Sequence, residues 1–312
     1  MTQERVLNPQ DAVATTRTLR AVSVSIGSSK RDGSFETELL GRRVSLERIG
    51  TDGDLERAEA IIRDLDGEVD AIGLGGLDLF VQAAGRRYYL RDGVRLAREA
   101  RTTPVVCGAG LKDTLERLAV QKLDECIGWR GKRVLMVSAV DRFGMAEELV
   151  EQGAETIFGD VVFALNVALP LRSLAQLKRV ARAALPVVRQ LPISWLYPVG
   201  EKQESAGKGR GTRYFQWAEV IAGDFHFIRR HAPERLDGKV ILTNTTTAAD
   251  VAELKERGVA SLYTTTPRFD GRSLPTNLLD AALVAASGRH PLSAQEYREL
   301  IGRAGLEPQA VF

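Results

Sequence analysis

Arg133-Val-Leu-Met-Val-Ser-Ala-Val-Asp-Arg-Phe-Gly-Met-Ala-Glu-Glu-Leu-Val-Glu-Gln-Gly-Ala-Glu-Thr-Ile-Phe-Gly-Asp160 carries the strongest fold signal of the chain. Its apolar run, Val134 to Val137, suits a strand covered on both faces. A turn and a helical pattern follow, closed by Gly153, and Glu155 to Phe158 reads as a second strand. Strand, turn, helix and strand form the βαβ unit of a doubly wound sheet. The turn after the first strand offers free backbone N–H groups and a positive helix end. Ser138, Asp141, Arg142 and Gly144 are therefore candidate cofactor-binding residues. Asp160 falls at the carboxyl end of the second strand, where such a unit keeps the acid that holds a ribose hydroxyl; Arg142 is the alternative, suited to a 2′-phosphate. The usual Gly-x-Gly-x-x-Gly is absent here, so the fingerprint is partial.

Outward from this unit, strand and helix patterns alternate along most of the 312 residues. That alternation predicts an α/β chain of two Rossmann-like domains with mostly parallel sheets. The expected division is a loose N-terminal tail over 1–20, an N-terminal α/β domain over 21–130, and a C-terminal Rossmann-like domain over 131–312 with a mobile loop at 200–213. From Glu201 to Arg213 the only apolar side chain is that of Ala206. Such a segment lacks the means to pack, and reads as a loop tip or as a lid folding Lys208, Arg210 and Arg213 over an anion.

Hydrophobic residues make up 44% and charged residues 27%, a balance that fits a soluble globular protein and excludes wholesale disorder. A formal net charge of +2 is too small to imply a nucleic-acid partner. The longest apolar stretch, Val161 to Leu171, is broken by Asn166 and Pro170 and is too short to cross a bilayer. No membrane anchor is read. Cys107 and Cys126 lack a Cys-x-x-Cys spacing or a neighbouring His, so both are expected as buried thiols in a reducing cytoplasm. No metal-ligand spacing is read either. A small-molecule substrate is the expected partner, with a homo-oligomer allowed.

In the first half, Ala21 to Ile26 reads as a strand ending in Gly27-Ser-Ser-Lys30, and Arg43 to Ile49 as another. Asp52 is placed to cap a helix to Asp66, and Ala71 to Leu74 is the next strand. Tyr88-Tyr-Leu90 suits a local hairpin after Gly85. Thr103 to Cys107 leads into Gly108-Ala-Gly-Leu-Lys-Asp-Thr114 and a long helix to about Cys126. Lys112 and Asp113, near the start of that helix, are candidate catalytic residues on chemical grounds.

In the second half, Leu171 to Leu185 is a basic amphipathic helix ended by Pro186. Asp224-Phe-His-Phe227 alternates as a strand does, which sets Asp224 and His226 on one face with Arg229 and Arg230 behind. An acid, an imidazole and a guanidinium make a proton-transfer set, so His226 and Asp224 join the catalytic candidates. Two further strands, Lys239 to Thr243 and Ser261 to Tyr263, finish in Asn244-Thr-Thr-Thr247 and Thr264-Thr-Thr-Pro267. Asn244, Thr245, Thr246, Thr264 and Thr265 are nominated as cofactor-binding, because ligands of open parallel sheets sit at strand ends.

Val134 to Gly144, Ala222-Gly-Asp-Phe-His-Phe-Ile228 and Leu242-Thr-Asn-Thr-Thr-Thr247 resemble a bacterial family whose members usually carry the name quinate 5-dehydrogenase. The resemblance covers most of the chain after the tail. It implies nicotinamide-dependent oxidation, with NAD or NADP, of a hydroxy acid such as quinate or shikimate at a ring hydroxyl. Strand-Asn-Thr-Thr is similar to the segment beside the nicotinamide in shikimate and quinate dehydrogenases, and on that ground only Asn244 and Thr245 carry over. Their Asn-x-Thr-x-Pro-x-Lys string is absent. Two other readings stand beside it: a Rossmann-like protein that binds a nucleotide or phosphorylated metabolite without redox chemistry, and a transferase that uses a nucleotide-linked substrate with 200–213 as its lid.

Overall fold

The structure, a computed structural model, describes residues 17–164, 167–193, 211–244, 246–269 and 272–312. Most of the expected tail, most of the 200–213 loop and Thr245 lie outside these residues. The chain is α/β, with two mostly parallel sheets, as the alternation of apolar runs and helical patterns predicts.

The first sheet has five strands in the order β2-β3-β1-β4-β7: β1 (Leu19–Ser25), β2 (Gly33–Leu39), β3 (Arg42–Gly50), β4 (Ala71–Gly75) and β7 (Val105–Val106). All are parallel except β2, which pairs antiparallel to β3. The second sheet has six in the order β15-β12-β11-β10-β8-β9: β8 (Arg133–Met136), β9 (Glu155–Phe158), β10 (Val220–Ala222), β11 (Val240–Thr243), β12 (Ser261–Thr264) and β15 (Gln309–Ala310), the last alone antiparallel. The chain runs from β8 to β9 on one side of β8, then crosses to β10 on the other. Such a reversal opens a crevice at the carboxyl ends of the two central strands, here the turns that start at Val137 and at Gly223. The first sheet reverses in the same way between β1 and β4, and its crevice lies at Ile26 and Gly76.

The central strands β4 and β8 are covered on both faces and are accordingly written as apolar runs, whereas β2 and β3 towards the edge of the first sheet alternate. Helix α1 (Leu55–Leu65) puts Ala58 and Ile62 against Val22, Val24 and Ile72. The opposite face meets α3 (Ala109–Ile127), α10 (Thr276–Ser287) and α11 (Ala294–Arg303) through Leu111, Leu278, Leu283 and Leu300. The sequence reading assigns 131–312 to one domain; in the structure the chain returns at Leu274 to the first sheet and comes back to the second only at β15. The second sheet carries α4 (Phe143–Glu151) and α6 (Leu174–Val188) on one face, and α7 (Thr212–Trp217), α8 (Phe225–His231) and α9 (Ala248–Glu256) on the other. A hairpin from the first lobe, β5 (Phe80–Ala83) with β6 (Arg86–Tyr89), inserts Val81 and Tyr88 into this second core.

Several local expectations change. Asp224 to Phe227 is not a strand: β10 stops at Ala222, and Asp224 caps α8 by accepting the amides of His226 at 2.9 Å and Phe227 at 3.3 Å. A side chain that satisfies the orphan donors of a first turn outweighs four residues of alternation. Asp54, not Asp52, caps α1 through the Arg57 amide; Asp52 has a positive φ of 53° and accepts from the Ser29 amide. Pro186 sits inside α6, which runs on to Val188. Cys107 is buried but Cys126 is exposed, so only one of the two thiols is in a core.

Candidate functional site

A cleft of about 450 Å³ lies between the lobes, at the carboxyl ends of both sheets. Its first-lobe wall is Leu74 to Asp78 with Cys107 and Lys112; its second-lobe wall is the turn from Val137 to Arg142, Asp160, and Asp224 with His226. Asn244 closes the strand-end side and Pro275 to Asn277 at the start of α10 another. Val180, Ala181, Ala184, Leu185 and Val188, one stripe of α6, give it an apolar floor. A cleft lined mostly by apolar side chains with a few converging polar groups is the usual form of a small-molecule site.

The polar groups form one chain of contacts. Lys112, from the first turn of α3, lies 3.4 Å from Asp78 Oδ2 and 3.9 Å from Asp141 Oδ2. Burial would lower its pKa, but those two carboxylates outweigh it and hold the ammonium above its ordinary range. Burial raises Asp78 despite Lys112. Arg142, at 3% exposure, is ion-paired with the equally buried Glu116 and reaches Asp224 Oδ2 at 3.2 Å. Glu116 is pushed up to about 7 by burial, against the pull of Arg142 and Lys112. Asn244 Nδ2 donates to Asp224 Oδ2 at 3.3 Å. Four acids and two cations therefore surround this end of the cleft, an arrangement that orients a hydroxyl or carbonyl better than it attracts an anion.

Asp160 does not stand free for a ribose. Its Oδ1 accepts the amides of Ala139 at 2.9 Å and Val140 at 2.8 Å, two donors of the turn nominated for a pyrophosphate. The other oxygen, Oδ2, is buried with no partner. Burial pushes this carboxyl up to about 6, against those two amides. In this turn the protein's own carboxylate holds the place that an anion takes in a dinucleotide-binding unit. Ser138 lines the same turn with its Oγ buried and unpartnered.

Several nominated residues are not brought to the cleft. Asp113 faces away, accepting from Gln82 at 3.2 Å and lying 3.5 Å from Arg117; the carboxylates paired with Lys112 are Asp78 and Asp141 instead. Gly144 lies where α4 crosses α3, and a Cβ there would come 2.5 Å from the Asp113 carbonyl oxygen, so its small size serves helix packing. Thr264 and Thr265 are buried inside the sheet: Thr264 Oγ1 donates to the Thr266 carbonyl at 3.1 Å and the Thr265 amide to the Thr243 carbonyl at 2.8 Å. Thr246 is buried with its hydroxyl unpaired. His226 faces the cleft, but Asp224 bonds its backbone and not its ring. The ring Nε2 instead accepts from Arg31 Nη1, across the lobes, at 2.8 Å. Burial lowers the imidazole pKa, with Asp224 opposing and Arg31 reinforcing. Asp78 and Glu116 have no motif of their own. The glycine-dense Gly73 to Asp78 segment was the available signal for Asp78, whereas Glu116 follows only from its place one turn beyond Lys112 on α3.

Two family models match, and the larger match, over residues 110–311, is to a domain of unknown function, DUF8754. The chain belongs to the DUF8754 family. Residues 20–107 match a second domain of unknown function, DUF8753, so the two matches meet at the start of α3. No curated protein matches the chain. Among solved structures, a substrate-binding protein of a sugar ABC transport system from Bordetella parapertussis is 13% identical, with a TM-score of 0.38, covering 92% of this chain and 82% of that one. Shikimate 5-dehydrogenase from Thermus thermophilus, solved with NADP(H) and shikimate, is 14% identical at a TM-score of 0.37, over 92% and 100%. An NAD-dependent malic enzyme from Thermotoga maritima is 14% identical at 0.35, over 94% and 86%. At these values none of the three bears on what this member of the DUF8754 family binds. Among the described residues no helix is long and apolar enough to cross a membrane, and no group of His, Cys, Asp and Glu side chains could hold a metal ion.

Proposed function

We propose that this DUF8754 member is a nicotinamide-dependent oxidoreductase that interconverts a hydroxyl and a carbonyl on a small hydroxy acid bound in the interlobe cleft. The observation that carries the reading is Lys112, buried in the cleft wall between Asp78 and Asp141. Carbonyl reduction needs a proton at the oxygen as hydride arrives at carbon. A lysine held as the ammonium by two carboxylates is a donor for that oxygen, and Asp78 is placed to share the proton afterwards. The raised pKa of Lys112 favours the reducing direction near neutrality; oxidation gains as the pH rises. Bound nicotinamide would supply or accept the hydride, and Asn244 with the Ser138–Arg142 turn is the strand-end surface left for it.

The test has two stages. A thermal-shift titration with NAD, NADP, their reduced forms and ATP comes first, since ligand at a hundred times its dissociation constant adds about 2.7 kcal/mol of stability. Turnover of quinate and shikimate, and of their keto forms, follows with whichever nicotinamide shifts the melting temperature. Lys112→Met should lower kcat by about 100-fold or more while cofactor binding persists. No nicotinamide response, or full activity in Lys112→Met, defeats the proposal. One observation favours a second reading, a binding protein without redox chemistry: the Gly-x-Gly-x-x-Gly of a dinucleotide-binding turn is absent from Ser138 to Gly144. A shift with ATP or a phosphorylated metabolite and none with nicotinamides would establish it.

A further inference from the structure

Among the described residues, the three cations that line the cleft are not equivalent. Lys112 lies between Asp78 and Asp141, and Arg142 is paired with Glu116 and Asp224. Arg230, from the last turn of α8, has no ion pair among the described residues. Its Nε is buried and has no hydrogen-bond partner. The adjacent Arg229, by contrast, points away to Asp250 at 3.5 Å and Glu253 at 3.0 Å. A half-buried guanidinium with a hidden donor unmet is unfavourable, because the solvation lost is not returned by the protein. The negative end of the α8 dipole eases the charge but gives Nε no acceptor. Burial, with the Arg230 charge adding to it, pushes the adjacent His231 imidazole down to about 4.

We propose that Arg230 is the residue that receives the carboxylate of the cleft's ligand. The acid-rich end, around Lys112, Asp78, Asp141 and Asp224, repels an anion, so a hydroxy acid enters with its hydroxyl there and its carboxylate towards Arg230. The planar fork of arginine matches the two oxygens of a carboxylate; Lys112 is held by Asp78 and Asp141, and Arg142, although its Nε also lacks a hydrogen-bond partner, is already neutralised by Glu116 and Asp224. This orientation rests on the proposed substrate class, but its measurement needs no cofactor and no turnover.

The experiment is calorimetric titration of quinate, shikimate and their methyl esters into wild type, Arg230→Met and Arg230→Lys, without nicotinamide, with melting temperatures of the free proteins. At least one acid should bind wild type at least tenfold more tightly than its ester. Arg230→Met should lose at least tenfold in acid affinity and leave the ester unchanged, with Arg230→Lys between. A structural arginine would melt lower on removal, whereas one held uncompensated for a ligand leaves Arg230→Met as stable as wild type or more so. Equal binding of acid and ester, acid affinity in Arg230→Met within twofold of wild type, no binding of either acid, or a lower melting temperature for the free Arg230→Met protein overturns the assignment. Acid binding with no response to any nicotinamide would remove the dehydrogenase reading and leave Arg230 in place.

Discussion

Asp160 is the residue where structure and chemistry pull hardest against each other. It caps two amides that want a negative charge, yet burial favours its neutral form and raises it to about 6. An acid whose folded pKa lies above its unfolded value of about 3.9 contributes stability that is complete below pH 3.9 and lost as the pH rises through the folded value. The window is therefore about pH 4 to 6. Asp160→Asn keeps an oxygen for the Ala139 and Val140 amides and removes the ionisation. Its unfolding free energy, measured in urea, should match wild type near pH 4 and exceed it at pH 8 by at most about 3 kcal/mol. A variant less stable than wild type at pH 8 would mean that the turn depends on the charged carboxylate. The same substitution tests the cofactor: if a pyrophosphate competes for these amides, removing the negative charge tightens nicotinamide binding, and unchanged affinity places the pyrophosphate elsewhere.

The elements show how much was legible in the residues. Val134 to Val137 was readable because a strand covered on both faces is written as an unbroken apolar run, and the structure places a strand there, at Glu155 to Phe158 and at Ala71 to Leu74. Ser293 with Glu296 forms the capping box that its spacing announces. Asp224-Phe-His-Phe was misread because four residues are too few to separate a period of 2 from one of 3.6, although Gly223 and Asp224 together carry a helix-start signal. Of the nominated residues, the fold brings Lys112, Asp141, Arg142, Asp224 and His226 to one cleft. Their partners were not legible, since which carboxylate meets Lys112 depends on how α3 lies against the Gly75–Asp78 turn. The packing of α10 on the first sheet was equally hidden: nothing in Thr276 to Ser287 names a target, and the complement is an absence of side chains at Gly73, Gly75 and Gly108. A Cβ at Gly73 would come 2.5 Å from the Asn277 carbonyl oxygen. Asn277 in turn donates to Ser23 Oγ at 2.5 Å and lines the cleft. Gly73→Ala should thus destabilise by about 2 kcal/mol, as overpacking of a close helix-sheet contact does. Because α10 also carries Asp280, which accepts the Gly108 amide at 3.0 Å where α3 begins, the shift should extend to Lys112. The measurement is urea denaturation together with ligand affinity; wild-type values for both would show that α10 has room to yield.

At the scale of the whole molecule the lobes are joined unequally. On one side the β5–β6 hairpin buries Val81 and Tyr88 in the second core, and α3 packs on α4 closely enough to require Gly144. On the other, the hydrogen bond from Arg31 Nη1 to His226 Nε2 at 2.8 Å spans from the first lobe to the second. The first side resembles a hinge and the second a latch, with the cleft between. For Arg31 to donate, Nε2 must carry no proton. Burial lowers the His226 pKa below 6.5; Asp224 and Asp250 oppose that shift, and Arg31 and Arg229 add to it. A histidine depressed in this way contributes stability that is complete above its unfolded pKa of about 6.5 and lost as the pH falls through the lower folded value. A hydrogen bond to a charged group is worth about 1.5–3 kcal/mol, enough to move an open–closed equilibrium tenfold or more. Small-angle scattering should therefore give a larger radius of gyration for wild type at pH 5 than at pH 7.5. Arg31→Ala should give the larger value at both, and ligand release from it should be faster at pH 7.5. Equal radii for wild type at the two pH values, with Arg31→Ala indistinguishable from it, would mean that the hairpin and the α3–α4 contact alone set the lobe angle. A radius that grows on acidification only when Arg31 is present would tie the opening to His226, because no other described contact of Arg31 changes charge in that range.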